Sequence, residues 1–290
     1  MNDSKAKTYA ARMSHVFDYI YQHLDDDLTL EKLSRLAHFS RFHFHRQFSE
    51  YCGITLNRFI QLMRLKRASY RLAFEKDERI IDIALEAQFE NPESFSRAFK
   101  LMFGQTPSQF RNEPDWSNWH DRVQLNLPNI EESYNVDITI VDFEETKIAV
   151  LEHRGSPDLV MDSVQIFREW RKQSKLSPVS NSRTFGIIYD DPESTPADEF
   201  RFDICGSVDS EVPDNAQNVG NDFIPGGRCA VIRHTGSLDN VRKSVMRLYR
   251  DWLPESNETL RDYPLFFQYL NLIPDVHEHK LQTDIYLPLE

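Results

Sequence analysis

At 290 residues, with 40% hydrophobic and 28% charged residues, the chain has room for two domains, each with its own apolar core. No apolar run reaches the roughly 18 residues that span a bilayer, and no hydrophobic stretch follows the opening MNDSKAK, so a cytoplasmic protein with no membrane partner is expected. A net charge of −12 argues at first against a nucleic-acid partner, but residues 1–112 hold 17 Lys and Arg against 14 Asp and Glu, and the remainder 17 against 32.

That asymmetry points to two halves with different partners. A modestly basic half binds DNA if its cations share one face. The three cysteines, Cys52, Cys205 and Cys229, lie far apart with no C-x-x-C spacing. Reduced thiols are expected, not disulfides or a zinc site.

In chain order, residues 1–112 read as helices throughout. Met13, Val16, Phe17, Ile20 and Leu24 lie at helical spacing, as do Leu30, Leu33 and Ala37. Thr29, Ser40, Thr55, Asn91 and Thr106 are candidate N-caps, with Pro92 and Pro107 in first turns and Gly53 and Gly104 just past helix ends. An internal repeat runs through this half: Phe44–Phe59 matches Phe95–Phe110 without gaps. Phe44/Phe95, Arg46/Arg97, Phe48/Phe99, Gly53/Gly104, Thr55/Thr106 and Phe59/Phe110 are identical. Between the copies, Leu56, Phe59, Ile60, Met63, Ala68 and Leu72 mark one long helix. About 19 residues at 1.5 Å each span about 28 Å, close to the roughly 34 Å turn of B-DNA.

The stretch IIDIALEAQFENPESFSRAFKLMFGQTPSQFR (Ile80–Arg111) closely resembles the C-terminal signature of AraC/XylS-type regulators, and LTLEKLSRLAHFSRFHFHRQFSEYCG (Leu28–Gly53) resembles their first helix-turn-helix. One departure stands out: Gln88 occupies the place where that family usually has Gly before Phe89. The resemblance implies a double helix-turn-helix that binds double-stranded DNA. In the first recognition helix Phe44, Phe48 and Tyr51 should face the core, leaving Arg41, Phe42, His45 and Arg46 toward the groove. There Arg bonds guanine bidentately and an aromatic touches a thymine methyl. In the second, Phe95 and Phe99 face inward and Pro92, Glu93, Ser96 and Arg97 outward. Lys100, Thr106, Ser108 and Arg111 are the expected phosphate contacts, which position without specifying.

Residues 113–134 lack a sustained period and read as a linker, on which Trp116 and Trp119 could dock to one domain. From 135 to 290 strand and helix signals alternate: VDITIV, then KIAVLEHRG, a helix from Asp158 to Trp170, and a hairpin of FGIIYD and FRFDICGSV. RCAVIRHTG, a helix from Asp239 to Trp252, PLFFQYLN and LQTDIYLPL repeat the order. Lys147–Glu169 matches Arg228–Arg250 at an offset of 81, with nine identities that include His153/His234, Gly155/Gly236, Ser156/Ser237 and Asp158/Asp239. The expected architecture is therefore multidomain: an all-α double helix-turn-helix domain (1–112), then an α+β domain of duplicated β-α-β-β units (135–290).

A-V-x-x-H-x-G-S-x-D in both copies, with D-I-Y-L-P-L at the end, resembles the GyrI-like effector-binding domain. The resemblance implies a small-molecule effector, aromatic or amphipathic, in a cleft between the repeats. Trp170, Phe185, Tyr189, Tyr249, Trp252, Phe267 and Tyr269 are candidate walls. Phe267 stands where many members carry Glu in P-x-x-E-x-Y, which lessens the expectation of a cationic ligand. The function expected is a ligand-controlled transcriptional regulator, with RNA polymerase a further partner. Alternatives are a C-terminal half that binds a protein partner, or one that hydrolyses a small molecule. No nucleophile–base pair is evident, so no catalytic residues are expected, and no cofactor or metal. His153 and His234 recur through duplication, and His277 and His279 are expected on one strand face.

Overall fold

A computed structural model describes residues 2–123 and 137–290, apart from Glu193, Pro274 and His277, with side chains from Arg12 onward. The chain divides into two compact units, Met1–Asn135 and Val136–Glu290.

The first unit is a run of helices: α1 (Asn2–Gln22), α2 (Leu30–Leu36), α3 (Arg41–Cys52), α4 (Leu56–Phe74), α5 (Ile80–Glu86), α6 (Pro92–Phe103), α7 (Pro107–Asn112) and α8 (Trp116–Val123). The sequence punctuation explains most boundaries. Thr29, Ser40, Asn91 and Thr106 each accept a bond from a backbone N–H of the first turn, satisfying a donor the helix itself leaves unpaired. Thr106 and Gln109 form a complete capping box. Thr55 takes the N-cap position of α4 without a side-chain bond. Gly53 and Gly104 end α3 and α6 at φ +71° and +75°, a region that glycine enters without the Cβ penalty.

The repeated phenylalanines are the two cores. Phe44, Phe48 and Phe59 are fully buried around Phe17, and Phe95, Phe99 and Phe110 are fully buried beside Phe103. Part of the stretch expected to connect the domains is instead α8. Its Trp116 and Trp119 are buried against Tyr70, Phe74 and Phe110, and Trp119 Nε1 donates to Ser69 Oγ at 2.7 Å. The eight-residue helix was hidden because two tryptophans three apart make one apolar face too short to show a period. Residues 124–134 of the expected linker lie outside the described residues.

The second unit contains β1 (Thr139–Phe143), β2 (Thr146–Arg154), α9 (Val160–Ser174), β3 (Thr184–Ile188), β4 (Arg201–Ser207), β5 (Gly220–Ile224), β6 (Gly227–Thr235), α10 (Val241–Met246), α11 (Leu253–Ser256), β7 (Phe266–Tyr269) and β8 (Gln282–Pro288). The strands make one antiparallel sheet in the order β1-β6-β8-β7-β3-β4-β2-β5. Exchanging β1–β4 for β5–β8 reverses this order onto itself. The duplication is therefore a two-fold pattern centred on the β3–β7 pair. Each copy also carries a leading strand, β1 or β5, that pairs with a strand of the other copy. β5 was not anticipated, because GNDFI is short and begins with Gly.

This order dictates curvature. β1 and β2 sit near opposite edges of the sheet yet are joined only by Glu144 and Glu145; Pro225 and Gly226 join β5 to β6 in the same way. Two residues reach only about 11 Å between the flanking Cα atoms, so the edges must curl toward each other. They do: a Cβ on Gly226 would lie 3.0 Å from the Glu145 nitrogen and 3.2 Å from the Phe143 oxygen. The concave face holds an interior cluster of Phe143, Ile148, Phe185, Ile187, Cys205, Ile224, Cys229 and Phe266. The convex face carries two helix-covered layers, one with Phe167 and Trp170 of α9, the other with Ile232, Leu248 and Phe267.

Each copy's helix is clamped to its strand by the same bonds. His153 lies 2.9 Å from Ser163 Oγ through Nδ1 and 3.0 Å from the Ser156 oxygen through Nε2; His234 repeats this with Ser244 and Ser237 at 3.0 and 2.9 Å. A carbonyl only accepts, so Nε2–H donates to it and Nδ1 accepts from the serine hydroxyl. The recurring histidines are thus accounted for as clamps. His277 lies outside the described residues, and His279 sits in the 3-10 turn Glu278–Lys280 instead of a strand. The helix expected from Asp239 to Trp252 changes to a π-helical turn at Arg247–Trp252. Pro254 follows, and its missing N–H and bulky ring obstruct a regular α-helical bond to residue 250.

His153→Phe should lower unfolding free energy by about 1–3 kcal/mol in urea titration, because a buried hydroxyl and carbonyl lose their partner; an unchanged midpoint would show that the clamp carries no stability. All three thiols are buried, and burial pushes Cys52 up to about 12 and Cys229 to about 11. The folded protein at pH 8 should therefore resist an aromatic disulfide reagent that titrates three thiols after denaturation. Rapid native labelling would contradict this packing.

Candidate DNA interface and effector cleft

The α2-turn-α3 and α5-turn-α6 pairs each end in a helix at the recognition position, one before α4 in the chain and one after it. On α3, Arg41, Phe42, His45 and Arg46 are exposed while Phe44 and Phe48 are buried, and Phe42 holds 87% of its surface in solvent. On α6, Glu93, Arg97 and Lys100 are exposed, Pro92 and Ser96 are half-buried, and Phe95 and Phe99 are buried. Both turns need a left-handed residue, His38 at φ +56° and Gln88 at +64°. Gln88 occupies this backbone region with its amide donating to the Asp25 oxygen at 3.1 Å.

The six identities of the first repeat now separate. The phenylalanines fill cores, the glycines end helices and the threonines start them. Arg46 and Arg97 do none of these things. Both are exposed on recognition helices, with no hydrogen bond or ion pair among the described residues.

The remaining expected contacts are uneven. Ser108 is exposed at the start of α7. The Thr106 hydroxyl is committed to its capping box, at 3.3 Å from the Gln109 nitrogen and 3.0 Å from Gln109 Oε1. Arg111 is half-buried, with Nε and Nη2 shielded and without a hydrogen-bond partner.

In the second unit the structure does not bring the seven aromatic candidates together. Strand alternation sends Phe185 into the concave interior with Phe266, and Tyr189 to an end of that face, where Arg201 stacks 3.9 Å from its ring centroid. Burial and nearby Asp203 hold the Tyr189 phenol above its ordinary range. Trp170 is packed beneath α9. Phe267, Tyr269 and Trp252 do share the convex face, and Tyr249 is partly exposed on the π-helical turn.

Phe267 and Tyr269 lie on β7, at the seam where the two copies meet through the β3–β7 pair. The layers under α9 and α10 are separate clusters that share Phe202, so the convex side of the β3–β7 pair runs between them. A Cβ on Gly186 of β3 would lie 2.5 Å from the Phe202 ring and 2.8 Å from the Tyr269 hydroxyl, so both side chains lie across that glycine. Two contacts tie the copies across this seam. Arg168 of α9 donates to the Ile273 oxygen at 3.0 Å, and Arg242 of α10 pairs with Asp191 at 3.4 Å. The carboxylates of the central strands face the other way: Asp203 pairs with Arg201 at 2.7 Å and Asp284 with Arg233 at 2.7 Å.

A paired helix-turn-helix unit followed by a duplicated, curled sheet defines a DNA-binding regulator of the AraC type with a small-molecule-binding domain. Residues 33–113 match a helix-turn-helix domain, and residues 137–290 match the GyrI-like small molecule binding domain. The chain belongs to the GyrI-like small molecule binding domain family. It is 48% identical to the probable transcriptional regulator YgiV of Escherichia coli (strain K12) over 154 residues, 53% of this chain and 96% of that protein. It is 26% identical to the right origin-binding protein of the same strain over 246 residues, 82% of this chain and 83% of that one. Transcriptional regulator Rob of Salmonella typhimurium (strain LT2) is 25% identical over the same length, again covering 82% and 83%.

Arg46→Ala and Arg97→Ala should each weaken binding to a preferred duplex by about 1–3 kcal/mol without moving the thermal midpoint, as read by fluorescence anisotropy and calorimetry. Equal affinity for wild type and both variants would remove these two side chains from the interface.

Proposed function

We propose that α3 and α6 read two halves of a promoter sequence from one side of the duplex, and that a small molecule held at the seam between the copies of the second unit sets how strongly they do so. The observation that carries the DNA part is the Arg46/Arg97 pair, a repeated identity for which folding supplies no reason. Arg41, Phe42, His45, Pro92, Glu93 and Ser96 then surround the arginines as base-edge contacts. Lys100, Ser108 and Arg111 meet phosphates, and Thr106 contributes by capping α7.

The ligand in this reading is uncharged, and aromatic or amphipathic. Phe267 makes the seam apolar where a carboxylate would attract a cation, and Asp203 and Asp284 are turned away and already paired. Tyr269, Trp252 and Tyr249 form its walls, whereas Phe185 and Trp170 belong to cores. The regulator acts in the cytoplasm, with RNA polymerase as its second macromolecular partner, and performs no catalytic step. The names of its relatives, two of them called transcriptional regulators, support this reading.

Selection of the full chain on random duplexes tests the first part. A two-part sequence with halves about 10 base pairs apart should be enriched, and uniform recovery of all duplexes would defeat the reading. Nile red tests the second. Its emission should shift to the blue with wild type and not with Trp252→Ala/Tyr269→Ala, and tetraphenylphosphonium should not displace it. Displacement by that cation, or a shift indifferent to both substitutions, would place the ligand elsewhere.

A further inference from the structure

Two recognition helices read one site only if their mutual angle and distance are held. Apolar packing on α4 brings them together, but directional polar bonds fix rotation more tightly than side chains that slide past one another. Such bonds are present on one face of α4, where Arg64, Arg67 and Arg71 recur at i, i+3 and i+7. Arg64 donates from Nε to the Leu24 oxygen and from Nη2 to the Asp26 oxygen, both at 2.8 Å. Arg67 pairs with the Asp25 carboxylate and donates to the Glu86 oxygen at 3.2 Å. Arg71 pairs with Glu78 and with Glu86.

These partners come from two places. Leu24, Asp25 and Asp26 follow α1 and lead into the first helix-turn-helix; their carbonyls lie beyond a helix C-terminus, where intrahelical donors run out and cations are favoured. Glu86 and Gln88 belong to the end of α5 and the turn of the second. Asp25 is held from both sides, its carboxylate by Arg67 and its carbonyl oxygen by the Gln88 amide. The Arg67 side chain is 13% exposed and that of Asp25 51%, so the arginine end of the pair is shielded while the carboxylate keeps a solvent-facing side.

We propose that Asp25, Arg67 and Gln88 form a brace between the two helix-turn-helix units that fixes the spacing between half-sites the chain accepts. The inference rests on the two-helix reading above and deepens it. Arg46 and Arg97 determine which bases are read, and the brace determines how far apart they stand. It also gives a role to the Gln that replaces Gly in the second turn. Glycine would fit the left-handed backbone better but could not reach Asp25.

The test uses the full chain carrying Glu50→Cys on α3 and Leu101→Cys on α6, both exposed, with spin labels; the native cysteines are buried. Electron–electron resonance should give one narrow distance distribution, and Arg67→Met/Gln88→Met should at least double its width. In parallel, inserting one base pair between the selected half-sites should cost wild type tenfold or more in affinity. The braceless variant should lose threefold or less, while its affinity for a single half-site changes less than twofold. An unchanged width together with an unchanged insertion penalty overturns the brace. If wild type prefers no duplex, the functional reading fails, and the label widths still decide the brace. Should Arg67→Met unfold the unit, Gln88→Met and Asp25→Asn, which leave the arginine row in place, carry the same measurements.

Discussion

Helix α4 has to belong to two cores at once, and the first unit depends on its doing so. Its N-terminal half buries Leu56 and packs Phe59 against Phe17 and Phe48. Its C-terminal half places Ser69, Tyr70 and Phe74 against the tryptophans of α8. Twelve of its 19 residues are buried, which leaves a narrow polar strip, and the arginines that cross to Asp25 and Glu86 occupy it. A short helix-turn-helix has too little apolar surface to be stable alone. Two of them sharing one spine acquire both stability and a defined separation from the same residues.

The second unit solves a different problem. Its two-residue connections force the sheet to curl, which turns one face into a sealed interior and leaves the other to the helices. The two helices cover separate clusters that share Phe202, and the Arg168 and Arg242 contacts join the copies between them. The seam is thus a by-product of duplication: two similar units are joined at their third strands. The seam is lined by positions where the copies differ, such as Gly186 against Phe267.

Much of this is legible in the residues, and the repeats show why. Identities within the first repeat mark cores and caps, and the pair left over marks an exposed surface. His153/His234, Ser156/Ser237 and Ser163/Ser244 within the second are consumed by the clamps between strand and helix. They therefore reveal the architecture and say nothing about the ligand. What stayed hidden was side-chain direction in the sheet. Phe185 and Phe267 look alike in sequence but lie on opposite faces, and one residue of register decides which. The short elements α8 and β5 lacked enough residues to show a period. The Arg64, Arg67 and Arg71 spacing was readable, but its meaning depended on distant carbonyls that no local pattern announces.

The crossed leading strands bear on how such a unit could have arisen. Since β1 completes the edge beside β6, and β5 the edge beside β2, half of the domain on its own would end in an unfilled edge and would lack the strand that closes it. Two separate halves trading those strands would satisfy each other about a two-fold axis, as an isologous homodimer does. Fusion of the two genes would then keep the geometry while freeing each side of the seam to diverge.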